Sequence, residues 1–74
     1  MSDIEHIEFV SSSTISSMEY DHLMSNLDVH FKNGGVYRFC GVPDNILDEI
    51  KNTESVGRYF HSNIKNKFDF IRKI

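Results

Sequence analysis

Apolar and polar residues alternate without a break over 27 to 33, with Leu27, Val29 and Phe31 on one side and Asp28, His30 and Lys32 on the other. A period of two marks a strand with one face buried and one solvated. "NGG" (33 to 35) follows, and "VYRFCGV" (36 to 42) is rich in the aromatic and branched residues of a returning strand, so the pattern predicts a β-hairpin. Its register follows from keeping apolar residues together. A two-residue loop would set Val29 against Arg38 and put Asp28 on one face with Phe39. A three-residue loop with a glycine at positive φ removes the conflict: Phe31 pairs with Tyr37, Val29 with Phe39, Leu27 with Gly41, His30 with Arg38 and Asp28 with Cys40.

Upstream, "TISSMEY" (14 to 20) has the branched start and aromatic end of a shorter strand, and "DHLMSN" (21 to 26) is a turn into the hairpin. The serine run 11 to 13 reads as a linker. Residues 1 to 10, with "HIEFV" at 6 to 10, suit either an edge strand or an N-terminal arm. Pro43 ends the sheet, since it cannot donate to a ladder and is at home in the first turn of a helix. "PDNILDEIKN" places Ile46, Leu47 and Ile50 at helical spacing, with acids early and Lys51 late, in accord with the helix dipole. Ser55 is an N-cap for a second helix through about Phe68, in which Val56, Phe60, Ile64 and Phe68 form the buried stripe. In "FDFIRKI" a short strand competes with continued helix. The expected fold is α+β: a small antiparallel sheet of three to four strands covered by two helices, with 11 to 74 as one domain.

The 74-residue length allows one small core. A deep catalytic cleft would compete with that core for the same apolar side chains, so size favours a binding module over an enzyme. The single cysteine, Cys40, has no intrachain partner, and with four dispersed histidines it offers no metal-ligand spacing. No apolar run approaches the ~20 residues of a membrane span, and the protein is expected to be cytoplasmic, without a cofactor or small-molecule substrate. In the preferred register Cys40, Asp28 and His30 share one sheet face, but nothing marks an oxyanion hole beside them. Asp44, Asp48 and Glu49 are accounted for by the dipole of the helix they open.

Charge changes the picture along the chain. Residues 1 to 57 sum to -7 and residues 58 to 74 to +4, in a protein of net charge -3. On the second helix Arg58, His61, Ser62 and Lys65 fall within about one third of the circumference, with Tyr59 between this stripe and the buried one. Such a stripe is either a solvated face or a phosphate-binding surface. As a candidate RNA surface it takes in Arg58, Lys65, Lys67, Arg72 and Lys73, with Arg38 adding to it and Tyr59 or His61 available to stack on an unpaired base. Overall acidity argues the other way. The rival reading is a protein-interaction module whose positive stripe meets an acidic partner or the acidic half of another copy.

The ordered series Ser13, Ile15, Tyr20, Leu27, Val29, Phe31, Gly35, "YRF" (37 to 39), "GVP" (41 to 43), "SVGRYF" (55 to 60), Ile64, Lys65 and Phe68 resembles the KTSC domain over roughly residues 11 to 72. That family is named for the C-terminal domain of some lysyl-tRNA synthetases and includes small stand-alone bacterial proteins. Its central Tyr-x-Tyr is here Tyr37-Arg38-Phe39, and its Ile-Arg and late Tyr appear as Ile64-Lys65 and Phe68; Gly57, Tyr59 and Phe60 belong to the same motif set. The resemblance implies a domain without an established activity and a link to RNA through the synthetases. Independently of the resemblance, the hairpin register puts Tyr37 and Phe39 on the face of Val29 and Phe31, where they are expected to pack in the core.

Overall fold

A computed structural model describes residues 3–74 of the chain. Its elements are β1 (Ile4–Glu8), β2 (Ile15–Asp21), β3 (Asn26–Phe31), β4 (Val36–Phe39), α1 (Asp44–Asn52), α2 (Val56–Asn63) and β5 (Phe70–Arg72). The strands form one antiparallel sheet in the order β1-β2-β3-β4-β5, and both helices lie in the connection from β4 to β5. The fold is α+β as expected, with five strands in place of three to four. The two segments for which the sequence allows a strand as one of two alternatives, near the N-terminus and in "FDFIRKI", both form strands and make the two edges, β1 and β5.

The β3–β4 hairpin has a three-residue loop, but at 32 to 34. Gly34 takes φ 98°, its N–H donates to Phe31 O at 2.9 Å, and Phe31 N donates to Gly35 O at 2.9 Å. Asn33 Oδ1 accepts from Gly35 N at 2.9 Å, which steadies the turn one residue earlier than the register argument placed it. Leu27 therefore pairs with Phe39, Asp28 with Arg38, Val29 with Tyr37 and His30 with Val36, which corrects the expected partners. The slide is two residues, so every side chain keeps its face.

β2 carries a bulge between Ile15 and Ser17, with Ser16 Oγ donating to His30 O at 3.1 Å. The extra residue explains why Ile15 and Met18, of opposite parity, are both fully buried. Ser12 Oγ accepts from the N–H groups of Thr14 and Ile15, so the serine run is hydrogen-bonded to the start of β2 and is not a free linker. Asp21 Oδ1 accepts from the N–H groups of Leu23 and Met24 and shapes the β2–β3 turn, whose Ser25 takes φ 56°.

The core lies between one sheet face and the two helices. Met18, Tyr20, Leu27, Val29 and Phe39 from the sheet meet Val42, Leu47, Ile50, Val56, Phe60 and Ile64. The Tyr20 hydroxyl donates to Val42 O, and Val42 N donates to Ser25 O, so the segment that opens α1 is tied to both sides of the β2–β3 turn. The opposite sheet face carries Glu19, Asp28, His30 and Arg38 and no helix. Ser55 caps α2 by accepting from Arg58 N. That helix ends at Asn63 and not near Phe68: Lys65 N turns back to Phe60 O, and Asn66 takes φ 74°, a left-handed conformation that asparagine tolerates. Among the described residues, no helix is long and apolar enough to cross a membrane.

Candidate functional site

Because α2 stops early, the β4–β5 end of the sheet is left partly open on the helix side. Tyr37 pairs with Arg72 and Phe39 with Phe70, so these four side chains project to one face. Phe31 from β3 and Phe60 from α2 complete a closed circuit of five rings. Successive centroids are 5.6 Å apart for Phe31–Tyr37, 5.5 Å for Tyr37–Phe70, 5.4 Å for Phe70–Phe39, 5.4 Å for Phe39–Phe60 and 5.5 Å for Phe60–Phe31. Contacts to Phe60 and between Phe31 and Tyr37 are edge-on, the geometry favoured by the ring quadrupole, while Phe70 lies tilted on its neighbours. Phe39 and Phe60 are 2% and 5% exposed, but Phe70 is 52% exposed. The expectation that Tyr37 and Phe39 serve the core thus holds fully for Phe39 and partly for Tyr37.

The rings floor a groove of about 410 Å³. Lys65, Arg72, His61, Asn33 and Asn66 also line it, and among the described residues no Asp or Glu side chain does. The Arg72 guanidinium stands 5.8 Å from the centroid of Tyr37, and its Nε donates to Ile74 O. A second depression, of about 370 Å³, adjoins the start of α2 and is lined by Ser11, Ser12, Ser13, Thr14, Ser55 and Arg58 among others. The two share Thr14 and His61. Gly57 borders the second one, and a Cβ there would meet nothing nearer than Thr14 Oγ1 at 4.0 Å, so close helix approach does not require a glycine.

The candidate RNA-contact residues do not all gather. Arg58, His61, Lys65, Lys67 and Arg72 are exposed, and among the described residues none of them has an Asp or Glu side chain within ion-pair distance, although Arg72 Nε is taken by Ile74 O. Lys67 lies in the turn beyond α2, where its N–H donates to Ile64 O. Tyr59 is half-buried and its hydroxyl donates to Glu49 Oε1 at 2.6 Å, tying α2 to α1; burial first and the glutamate second push its pKa up to about 12. Its hydroxyl thus serves as a helix-to-helix link.

Arg38 and Lys73 leave the stripe altogether. Arg38 Nε and Nη2 bind Asp28 Oδ1 and Oδ2 at 2.8 and 3.1 Å, and Lys73 Nζ binds Oδ2 at 3.2 Å, all on the sheet face away from the helices. Burial of Asp28 disfavours its charge, but the hydrogen bonds from Arg38 and Lys73 outweigh this and hold the carboxyl below the usual range. The same pairing dissolves the thiol, imidazole and carboxylate arrangement expected on that face. Asp28 is occupied by its two cations, His30 Nε2 lies 3.0 Å from Glu19 Oε1, and Cys40 is exposed at the end of β4. Among the described residues, no group of three or more His, Cys, Asp or Glu side chains is placed to hold a metal ion.

Phe31, Phe70, Asn33 and Asn66 line the groove but were not among the site residues expected from sequence. The alternation of "FDFIRKI", which puts Phe70 and Arg72 on one side of a strand, carried the available signal.

Comparison with known proteins agrees with the resemblance. The KTSC domain family model matches residues 11–68. A lysine–tRNA ligase of Trichormus variabilis is 36% identical over 58 residues, a match that covers 78% of this chain and 10% of the ligase. An uncharacterized protein of Stutzerimonas stutzeri is 32% identical over 56 residues, 76% of this chain and 79% of its own. The crystal structure of a KTSC domain protein from Yersinia pestis superposes with a TM-score of 0.85 at 33% identity, covering 93% of this chain and 96% of that one. With a family model across most of its length and a solved member of the same fold, this chain belongs to the KTSC domain family.

Proposed function

We propose that this KTSC domain is a non-catalytic RNA-binding module whose contact surface is the groove beside α2 and β5 together with the exposed cations Arg58, Lys65, Lys67 and Arg72. The observation that carries the reading is the make-up of the groove: aromatic rings and cations without a carboxylate, in a chain of net charge -3. Rings offer faces for bases and cations offer partners for phosphates, and their coincidence is what RNA-binding surfaces use. Most of the acids lie elsewhere, and of the cations expected on this surface Arg38 and Lys73 are held by Asp28 on the far face and do not contribute to it. The ligases among the relatives are named for tRNA, and the fold also occurs in proteins close to its own size, as a transferable binding module does.

The test is a titration of isotope-labelled protein with bulk tRNA and with short mixed-sequence RNA at about 50 and 200 mM salt, following backbone amides. Shifts are expected at residues 57 to 73 and around Tyr37. With three or four phosphates engaged, single-strand affinity should fall about 20- to 50-fold across that salt range. An absence of shifts with either RNA at the lower salt refutes the proposal and turns attention to a protein partner.

A further inference from the structure

We infer that the groove holds an unpaired nucleotide, with its base against Phe70 and Tyr37, two of the more accessible rings of the floor, and its phosphate at Lys65 and Arg72, so that the domain selects single-stranded over duplex RNA. This rests on the RNA reading and specifies its ligand. One flat heterocycle can be taken by Phe70, which is half exposed at the edge of the sheet, with Tyr37 flanking it 5.5 Å away and tilted by 42°. A groove of about 410 Å³ is of single-ligand size and not a channel for a helix. In a duplex the base faces are already stacked on one another, so an aromatic floor gains nothing from them.

Charge points the same way. Duplex recognition needs cations spread along a face to meet two phosphate strands, whereas here Asp28 withdraws Arg38 and Lys73 to the opposite side of the sheet. Two cations, Lys65 and Arg72, line the groove and are available to one backbone. Asn66 and the amide nitrogen of Asn33, whose Oδ1 is used by Gly35, offer polar groups for the edge of a base without committing to one identity. Stacking of this kind tolerates any base, so weak sequence preference is expected.

The experiment is fluorescence anisotropy with a labelled mixed-sequence RNA of about eight nucleotides, alone and annealed to its complement, at about 100 mM salt. Wild type, Phe70→Ala and Lys65→Ala are compared. The single strand should bind at least tenfold tighter than the duplex. Phe70→Ala should weaken it about tenfold or more while the fold is kept, amide shifts being confined to the neighbours of Tyr37 and Phe39, because Phe70 lies at the exposed sheet edge. Lys65→Ala should weaken it and reduce the salt slope by about 0.7. Equal affinity for duplex and single strand, or a Phe70→Ala protein that binds undiminished, overturns the inference while leaving RNA binding standing. Loss of all RNA binding removes the parent reading as well, and an acidic aromatic peptide that alone fills the groove replaces both.

Discussion

Asp28 is the residue on which the charge layout of this domain turns, and replacing it with asparagine is a direct test of that reasoning. Its side chain is 11% exposed and accepts two hydrogen bonds from Arg38 and one from Lys73, whose side chains are 35% and 38% exposed. Removing one partner of a fully buried pair costs about 3–5 kcal/mol, and an exposed pair is worth about 0–1 kcal/mol. With a buried acceptor and donors more than a third exposed, solvent screening places Asp28→Asn nearer the lower range, at about 1–2 kcal/mol. For a domain of this size, that lowers Tm by roughly 5–15 °C. The effect should depend on pH in a definite direction. The carboxyl titrates lower in the folded state than in the unfolded chain, so its contribution is complete above the unfolded value and disappears as pH falls through the folded one. Thermal melts of both proteins by circular dichroism, at pH 7 and at steps into the acid range, should therefore show a gap that closes on acidification. A gap below ~2 °C at pH 7 would mean that the pair is fully screened, and a gap of constant size would mean that charge is not the cause.

Phe60 is 5% exposed and meets Phe31 and Phe39, so Phe60→Ala should destabilise by about 3–5 kcal/mol, read as a lower urea midpoint in chemical denaturation. Two glycines should respond with opposite sign in thermal melts. Gly34→Ala forces a side chain into φ 98° and should cost about 1–2 kcal/mol, whereas Gly57→Ala, in the first turn of α2 with room for a Cβ, should gain up to about 0.5 kcal/mol. The His6 imidazole, hydrogen-bonded first to Glu8 and also to Glu19, should titrate above its ordinary value by NMR and return toward it in Glu8→Gln. The stability that His6 adds is present below its unfolded pKa and is lost as pH rises through the folded one. The Tyr59 phenol should ionise near 12 and move down when Glu49→Gln removes its acceptor's charge.

Periodicity was enough to assign the faces of β3 and β4, the three-residue loop between them, the Ser55 cap and the buried positions Val56, Phe60 and Ile64. These features are local: each follows from backbone geometry repeating every two or 3.6 residues. What escaped was every decision between elements. A slide of two residues keeps each side chain on its face, so alternation could not distinguish Arg38 from Cys40 as the partner of Asp28, and turn hydrogen bonds at Asn33 and Gly34 decided it. With that pairing the apparent basic stripe lost Arg38 and Lys73, because a count of charges carries no information on which are neutralised through space. The end of α2 was set by Asn66 in a left-handed conformation against an apolar pattern that continued to Phe68. The five rings of the groove come from three strands and a helix, and only the docking of β5 beside β4 brings Phe70 and Arg72 to the others. The sequence by itself determined which faces are apolar, and the tertiary structure decided which of those apolar side chains stayed open to a ligand, because cover depends on where a neighbouring element stops.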